Sequence, residues 1–184
     1  MWDTSVEHVE LSMELDSLEH LPQHPLPERY GWRFYRSGDE LHWARIETSA
    51  GEFSEVEAGL RRFERDFPDR ESLPERMMFL TDGGVPFATV TAWFEPDGAG
   101  LLHYVAIDAA HQGRGLSRPL TSLGMNRLRE LGHKCARLGS QTYSWVAIRV
   151  YHEFGFRPVL HEEDEERGWR IVSKKTGIDF LKND

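Results

Sequence analysis

Apolar positions change their spacing several times along the chain, and each change marks an element. Val9, Leu11, Met13 and Leu15 alternate weakly, and the run then enters Leu21-Pro22-Gln23-His24-Pro25-Leu26-Pro27, where three prolines forbid regular structure. Residues 1–28 therefore read as an N-terminal extension, or a decorating strand, with a Pro-rich linker. The domain proper, residues 29–184, opens with Trp32-Arg33-Phe34-Tyr35-Arg36 as a first strand. Ser37-Gly38-Asp39-Glu40 is a capping box and predicts a helix. A second box, Ser54-Glu55-Val56-Glu57, introduces the helical stripe Val56, Leu60, Phe63 and Phe67, which stops before Pro68.

Shorter periods follow. Met77 to Leu80 and Pro86 to Phe94 predict two strands joined by Asp82-Gly83-Gly84, a hairpin turn, and Leu101 to Ile107 predicts a third. Leu116, Leu120, Leu123, Leu128 and Leu131 fall close to one helical face, with Pro119 in the first turn and Gly132 as the stop. Cys135 to Gly139 reads as a short strand, and Ser144 to Phe154 as a helix ended by Gly155. Phe156 to Leu160 and Trp169 to Ser173 read as a closing hairpin around an acidic loop. Strands that first meander and then alternate with helices predict an α/β fold, a mixed, mostly antiparallel central sheet with helices on both faces.

Composition narrows the function. With 184 residues, 39% of them hydrophobic and 29% charged, one domain with a substantial core is expected. The formal net charge of -9 disfavours nucleic acid, whose phosphates it would repel, and favours a cationic substrate. A single cysteine, Cys135, excludes an internal disulfide framework, and no metal-ligand spacing surrounds it, so no metal is expected. The first residues lack a basic stretch leading into a long apolar run, so a cytoplasmic protein with no membrane partner is expected.

The most informative stretch is Val105-Ala106-Ile107-Asp108-Ala109-Ala110-His111-Gln112-Gly113-Arg114-Gly115-Leu116-Ser117. A β-favouring run enters a basic glycine turn that opens a helix, which is how a chain presents backbone N–H groups to a phosphate. A triphosphate grip is disfavoured, because Gly113-Arg114-Gly115 lacks the Gly-Lys-Ser/Thr ending. Gln112-Gly113-Arg114-Gly115-Leu116-Ser117 resembles the signature of the GCN5-related N-acetyltransferase (GNAT) superfamily, Gln or Arg, two residues, Gly, one residue, then Gly or Ala, with Ser117 in the last place. The flanks extend the resemblance: Ser144-Trp145-Val146-Ala147-Ile148-Arg149-Val150-Tyr151 and Gly155-Phe156 match a later family motif in Ala, Tyr, Gly and Phe, with Ser144 replacing Asn. It covers residues 101–158 most firmly.

This resemblance implies a GNAT fold of six to seven strands, splayed in the middle, and an acetyl-CoA cosubstrate. The pantetheine arm would lie along Val105, Ala106 and Ile107. Gln112, Gly113, Arg114, Gly115, Leu116 and Ser117 would form the pyrophosphate cradle, with Ser144 touching the cofactor at the start of its helix and Arg118 within reach of the outer phosphates. Tyr151 would protonate the departing thiolate or hold it by a hydrogen bond, tasks open to a phenol of pKa about 10. His103, on the strand face of Leu101 and Val105, is the candidate base, since some relatives carry histidine there and Leu101 stands where others carry Glu; a water chain, as in many relatives, is the alternative. His111, beside the cradle, reads as a turn residue. Trp43, Phe53 and the loop His161 to Arg167 would line the acceptor pocket. The implied reaction is direct acetyl transfer to a small-molecule or peptide amine in a ternary complex, by a monomer or homodimer. A non-catalytic acyl-CoA-binding regulatory module is the alternative, and release of free thiol in the presence of amines separates the two.

Overall fold

Gly83 and Gly84, at φ 57° and 87°, supply the left-handed pair that a two-residue hairpin needs, and around this turn the first half of the sheet is built. A computed structural model of the chain describes residues 2–160 and 163–182. Its elements are β1 (Glu10–Leu15), β2 (Tyr30–Phe34), α1 (Glu40–Ala50), α2 (Val56–Asp66), α3 (Leu73–Arg76), β3 (Met77–Asp82), β4 (Val85–Phe94), β5 (Gly100–Ile107), α4 (Ser117–Glu130), β6 (Ala136–Gln141), α5 (Trp145–Glu153), β7 (Arg157–Val159) and α6 (Glu163–Thr176). The strands form one seven-stranded sheet in the order β2-β3-β4-β5-β6-β1-β7, antiparallel throughout except between β5 and β6. Among the described residues no helix is long and apolar enough to cross a membrane.

Two cores follow from the alternation of the strands. Ala88, Val90 and Ala92 of β4 face a core that includes Leu120, Met125 and Leu128 of α4, while Phe79 of β3 packs with Trp43, Phe63 and Phe67 of α1 and α2 on the other face. Helix α4 lies close on the sheet because Gly124 has no side chain there. A Cβ at that position would sit 2.6 Å from Val90 and 2.7 Å from Leu102.

The helix starts use different chemistry from the one the capping boxes predict. Ser37 and Ser54 make no cap hydrogen bond. Instead the Asp39 carboxylate accepts from the Arg36 amide at 2.6 Å and from both terminal nitrogens of Arg33 at 2.5 and 2.8 Å, and Glu40 accepts from the Gly38 amide at 3.0 Å.

The closing hairpin does not form. Trp169 to Ser173 lie inside α6, and β7 pairs with β1 instead. Trp-Arg-Ile-Val has high strand propensity, but Trp169 and Val172 are fully buried at helical spacing, and Gly168 brings α6 against Leu11 of β1. Tertiary packing overrides the local preference. Strand β1, read from the sequence as decoration, lies within the sheet between β6 and β7. Leu11 and Met13 are buried while Glu10, Ser12 and Glu14 keep the other face polar, so an interior strand carries the pattern of a half-covered one.

Candidate functional site

Strands β5 and β6 pair only at Gly100 with Ala136 and Leu101 with Arg137, then diverge. The cause of the divergence lies in β5. Thr91 of β4 pairs with His103 and Thr89 with Ala106, so β5 carries one residue more than its partner, and Tyr104 takes a left-handed φ of 47°. The bulge resets the alternation. Tyr104 and Ala106 join the core under α1 and α2, whereas Val105 and Ile107 turn toward the α4 core. His103 and Val105 thus occupy opposite faces, which corrects the shared face expected from simple alternation. The Tyr104 hydroxyl donates to Asp66 at 2.6 Å, and Arg62 and Arg65 donate to the same carboxylate at 2.5 and 2.9 Å.

The opening between the strands is a cleft lined by Val105, Ala106, Ile107, Gln112 and Ser117 on one side and Ser144, Ala147 and Tyr151 on the other. At its mouth Gly113 and Gly115 adopt φ 74° and 75°, and the main-chain amides from Gly113 to Ser117 find no main-chain acceptor among the described residues. These are the orphan donors of a helix start, at the positive end of the 14-residue helix α4. Leu116 is buried and anchors the turn; Gln112 ties it to the strand by donating to the Ile107 carbonyl at 2.9 Å. Arg114 is exposed and donates to the Ala110 carbonyl, whereas Arg118 makes a two-point ion pair with Glu153 of α5 at 2.7 and 2.8 Å. His111 stacks on Phe87 with ring centres 4.1 Å apart, in keeping with a turn residue.

Tyr151 sits at the bottom of the cleft, 7% exposed. Burial, and then the charge of Glu47, raise its phenol well above the ordinary value, so the hydroxyl keeps its proton across the physiological range. Ser144 precedes α5 and lines the cleft, but its side chain makes no cap hydrogen bond.

Beyond Tyr151 the cleft continues into a cavity of about 340 Å³, a volume suited to a small ligand. Its walls include Glu47, Glu52, Glu10, Arg62, His103 and Tyr104, with Tyr151 and Ser144 shared with the cleft. Trp2, near Gly51 and Tyr143, borders both spaces. Burial pushes the His103 imidazole down to about 4, against the attraction of Asp66. Glu47 is 3% exposed, and its Oε1 has no hydrogen-bond partner among the described residues. Burial, and then the nearby Glu52, raise its carboxyl well above the ordinary range.

The structure thus brings Tyr151, His103, Val105, Ala106 and Ser144 to one cavity and leaves Gly113, Arg114 and Gly115 at the entrance. Trp43 is not a pocket residue: it is fully buried, its ring 4.7 Å from that of Tyr104. Phe53 packs against Trp43. The acidic stretch is not a loop from Glu163 onward, since α6 begins there, and Arg167 pairs with Glu7 and Asp164; His161 and Glu162 lie outside the described residues. Glu47 is the residue the sequence reading missed. Its signal was a carboxylate four residues after Trp43 and three after Ala44, on the apolar face of a helix.

Residues 24–156 match the model of the acetyltransferase (GNAT) family. The chain is 29% identical over 153 residues to a mycothiol acetyltransferase of Nocardia farcinica, covering 75% of this chain and 48% of that protein. It is 32% identical over 160 residues to one from Cellulomonas flavigena, covering 78% and 45%. It therefore spans about half the length of the curated relatives it matches. A GCN5-related N-acetyltransferase from Sphaerobacter thermophilus superposes with a TM-score of 0.66 at 19% identity over 82% of this chain and 48% of that one. One from Kribbella flavida does so with 0.59 at 20% identity, over 82% and 55%. A glycine turn with free amides, a strand pair splayed by a bulge and a family match across most of the chain converge: this protein belongs to the GNAT acetyltransferase family.

Proposed function

We propose that the chain is an acetyl-CoA-dependent N-acetyltransferase that moves the acetyl group directly to an amine held in a ternary complex. The observation that carries this reading is the row of amides from Gly113 to Ser117 without a main-chain acceptor among the described residues, at the mouth of a cleft that leads to Tyr151. The residues present fit coenzyme A. The amides and the α4 dipole suit a diphosphate, and glycine at 113 and 115 permits close approach. The diverging edge of Val105, Ala106 and Ile107 offers main-chain groups to the pantetheine amides, and Ser117 and Ser144 border the same path. Arg114, at the entrance, reaches toward an outer phosphate by leaving the Ala110 carbonyl. Arg118 does so only by leaving Glu153.

When bound, acetyl-CoA supplies a thioester activated toward amines. Tyr151 Oη holds a proton next to the site of chemistry and gives it to the departing sulfur. A main-chain N–H near Ala106 or Ile107, aimed by the bulge, polarises the carbonyl. His103, with its basicity depressed by burial, serves as a neutral wall of the acceptor cavity. The relatives are named for mycothiol, so amines related to mycothiol head the acceptors to assay. The test is calorimetry with coenzyme A and acetyl-CoA, followed by thiol release across a panel of amines. Absence of binding removes the reading; binding without turnover on any amine favours the regulatory module.

A further inference from the structure

We propose that Glu47 anchors the acceptor: its carboxylate binds the acceptor's ammonium group in the cavity beyond Tyr151 and takes its proton, so the substrate is a primary amine that enters as a cation. This rests on the transferase reading above. A buried polar atom without a partner costs about 1–3 kcal/mol, and more in a group that can carry charge, which sets a carboxyl apart from the unpartnered hydroxyl, indole and imidazole atoms elsewhere among the described residues. Glu47 Oε1 is such an atom, in a residue 3% exposed whose side chain borders an open cavity. The cavity is the same one that Tyr151 lines, and the charge of Glu47 acts on the phenols of both Tyr151 and Tyr104.

The charges around it select the ligand. Glu52 and Glu10 share the walls, and the lining cation, Arg62, is committed to Asp66 at 2.5 Å. An entering anion would find no uncommitted cation and two further acidic side chains, Glu10 and Glu52, whereas an ammonium group would give Glu47 the donor it lacks. The strand that carries His103 offers no carboxylate: Leu101, Leu102, His103, Tyr104, Val105 and Ala106 line the cavity from β5. Without a cation Glu47 is biased to its neutral form, and a cation beside it restores the carboxylate that accepts the proton.

The balance of the step is simple. The ammonium nitrogen loses one proton to Glu47, the N–C bond forms as the C–S bond breaks, and Tyr151 gives its proton to the sulfur. The second amine proton restores the Tyr151 phenol, and Glu47 releases the one net proton to solvent.

The test compares wild type with E47Q, and with E47M should E47Q not fold. The titratable groups that share the cavity, Glu10, Glu52, Arg62, His103, Tyr104 and Tyr151, are unchanged in both. Calorimetry first measures coenzyme A, then glycinamide, ethanolamine and 1,4-diaminobutane with coenzyme A present, using N-acetylglycinamide as the neutral counterpart. The expected result is unchanged coenzyme A affinity, at least tenfold weaker amine binding in the variant, and no such change for the neutral amide. kcat/KM for acetylated amines falls about 100-fold at pH 7 and recovers as pH rises toward the pKa of the free amine. Wild-type amine affinity and an unaltered pH profile in E47Q overturn the inference, as does a wild type that takes up coenzyme A but binds and acetylates none of the three amines. A wild type that binds no coenzyme A instead removes the transferase reading, and the inference with it.

Discussion

The hydroxyl of Tyr104 donates to Asp66 across 2.6 Å, and this single bond ties the bulge of β5 to the C-terminal end of α2. A tyrosine at a φ of 47° is strained by its Cβ, so the contact helps hold a backbone shape the residue would otherwise leave. Tyr104→Phe removes the bond and keeps the ring on Trp43. Urea unfolding is expected to show a loss of about 0.5–1.5 kcal/mol, and turnover of any accepted amine should fall while coenzyme A affinity is kept.

Tyr151→Phe deletes one oxygen from the bottom of the cleft. kcat should drop about 100-fold with the calorimetric affinity for acetyl-CoA unchanged. Because burial raises the phenol, the wild-type rate should not decline on the alkaline side up to about pH 10, the ordinary phenol value, through loss of this proton. Rate–pH profiles of both proteins check the two statements.

Gly115→Val places a β-branched residue at a φ of 75°. The turn must either strain, by roughly 1–2 kcal/mol, or flatten and withdraw its amides. Affinity for coenzyme A should weaken about tenfold or more, with little change in affinity for an amine measured alone.

His103 gives the fold a pH dependence. Its folded-state basicity is depressed to about 4 from an ordinary value of about 6.5, so the unfolded chain binds the proton more readily between those values. This contribution to stability is complete above pH 6.5 and is lost progressively as pH falls toward 4. The melting temperature of wild type should therefore decline from pH 7 to 5 more steeply than that of His103→Gln.

Gly124→Ala tests how tightly α4 lies on the sheet. The new methyl would meet Val90 and Leu102 at distances no real Cβ adopts, and overpacking of this kind costs about 1–3 kcal/mol. Chemical denaturation reads the loss directly.

The parts of this fold legible in the sequence are those decided locally. The Gly83-Gly84 turn, the stripe of α2 up to Pro68 and the glycine turn before α4 each carry their own chemistry, and all appear where the residues predict. What was not legible depends on partners far along the chain. Whether Trp169 to Ser173 extends or coils is decided by Leu11 and Val9, against which Gly168 packs. The side on which Val105 emerges is decided by a bulge whose only local sign is an aromatic residue, and Asp66 secures it from another element. In the site, Tyr151 and the cradle stood out by motif, whereas Glu47 carries no motif and is conspicuous only once the cavity around it is known.

The position of β1 has a further effect on assembly. Its six residues pair with Ala136 to Gln141 on one edge, and three of them, Ser12 to Glu14, pair with Arg157 to Val159 on the other, so a segment made early waits for two made late. Closing so long a loop delays the final zipping of the sheet, and until it happens β6 and β7 have bare edges open to mispairing. An amino-terminal deletion reaching past Leu15 would therefore strip β7 of its strand partner as well as removing β1, and leave β6 as the rim.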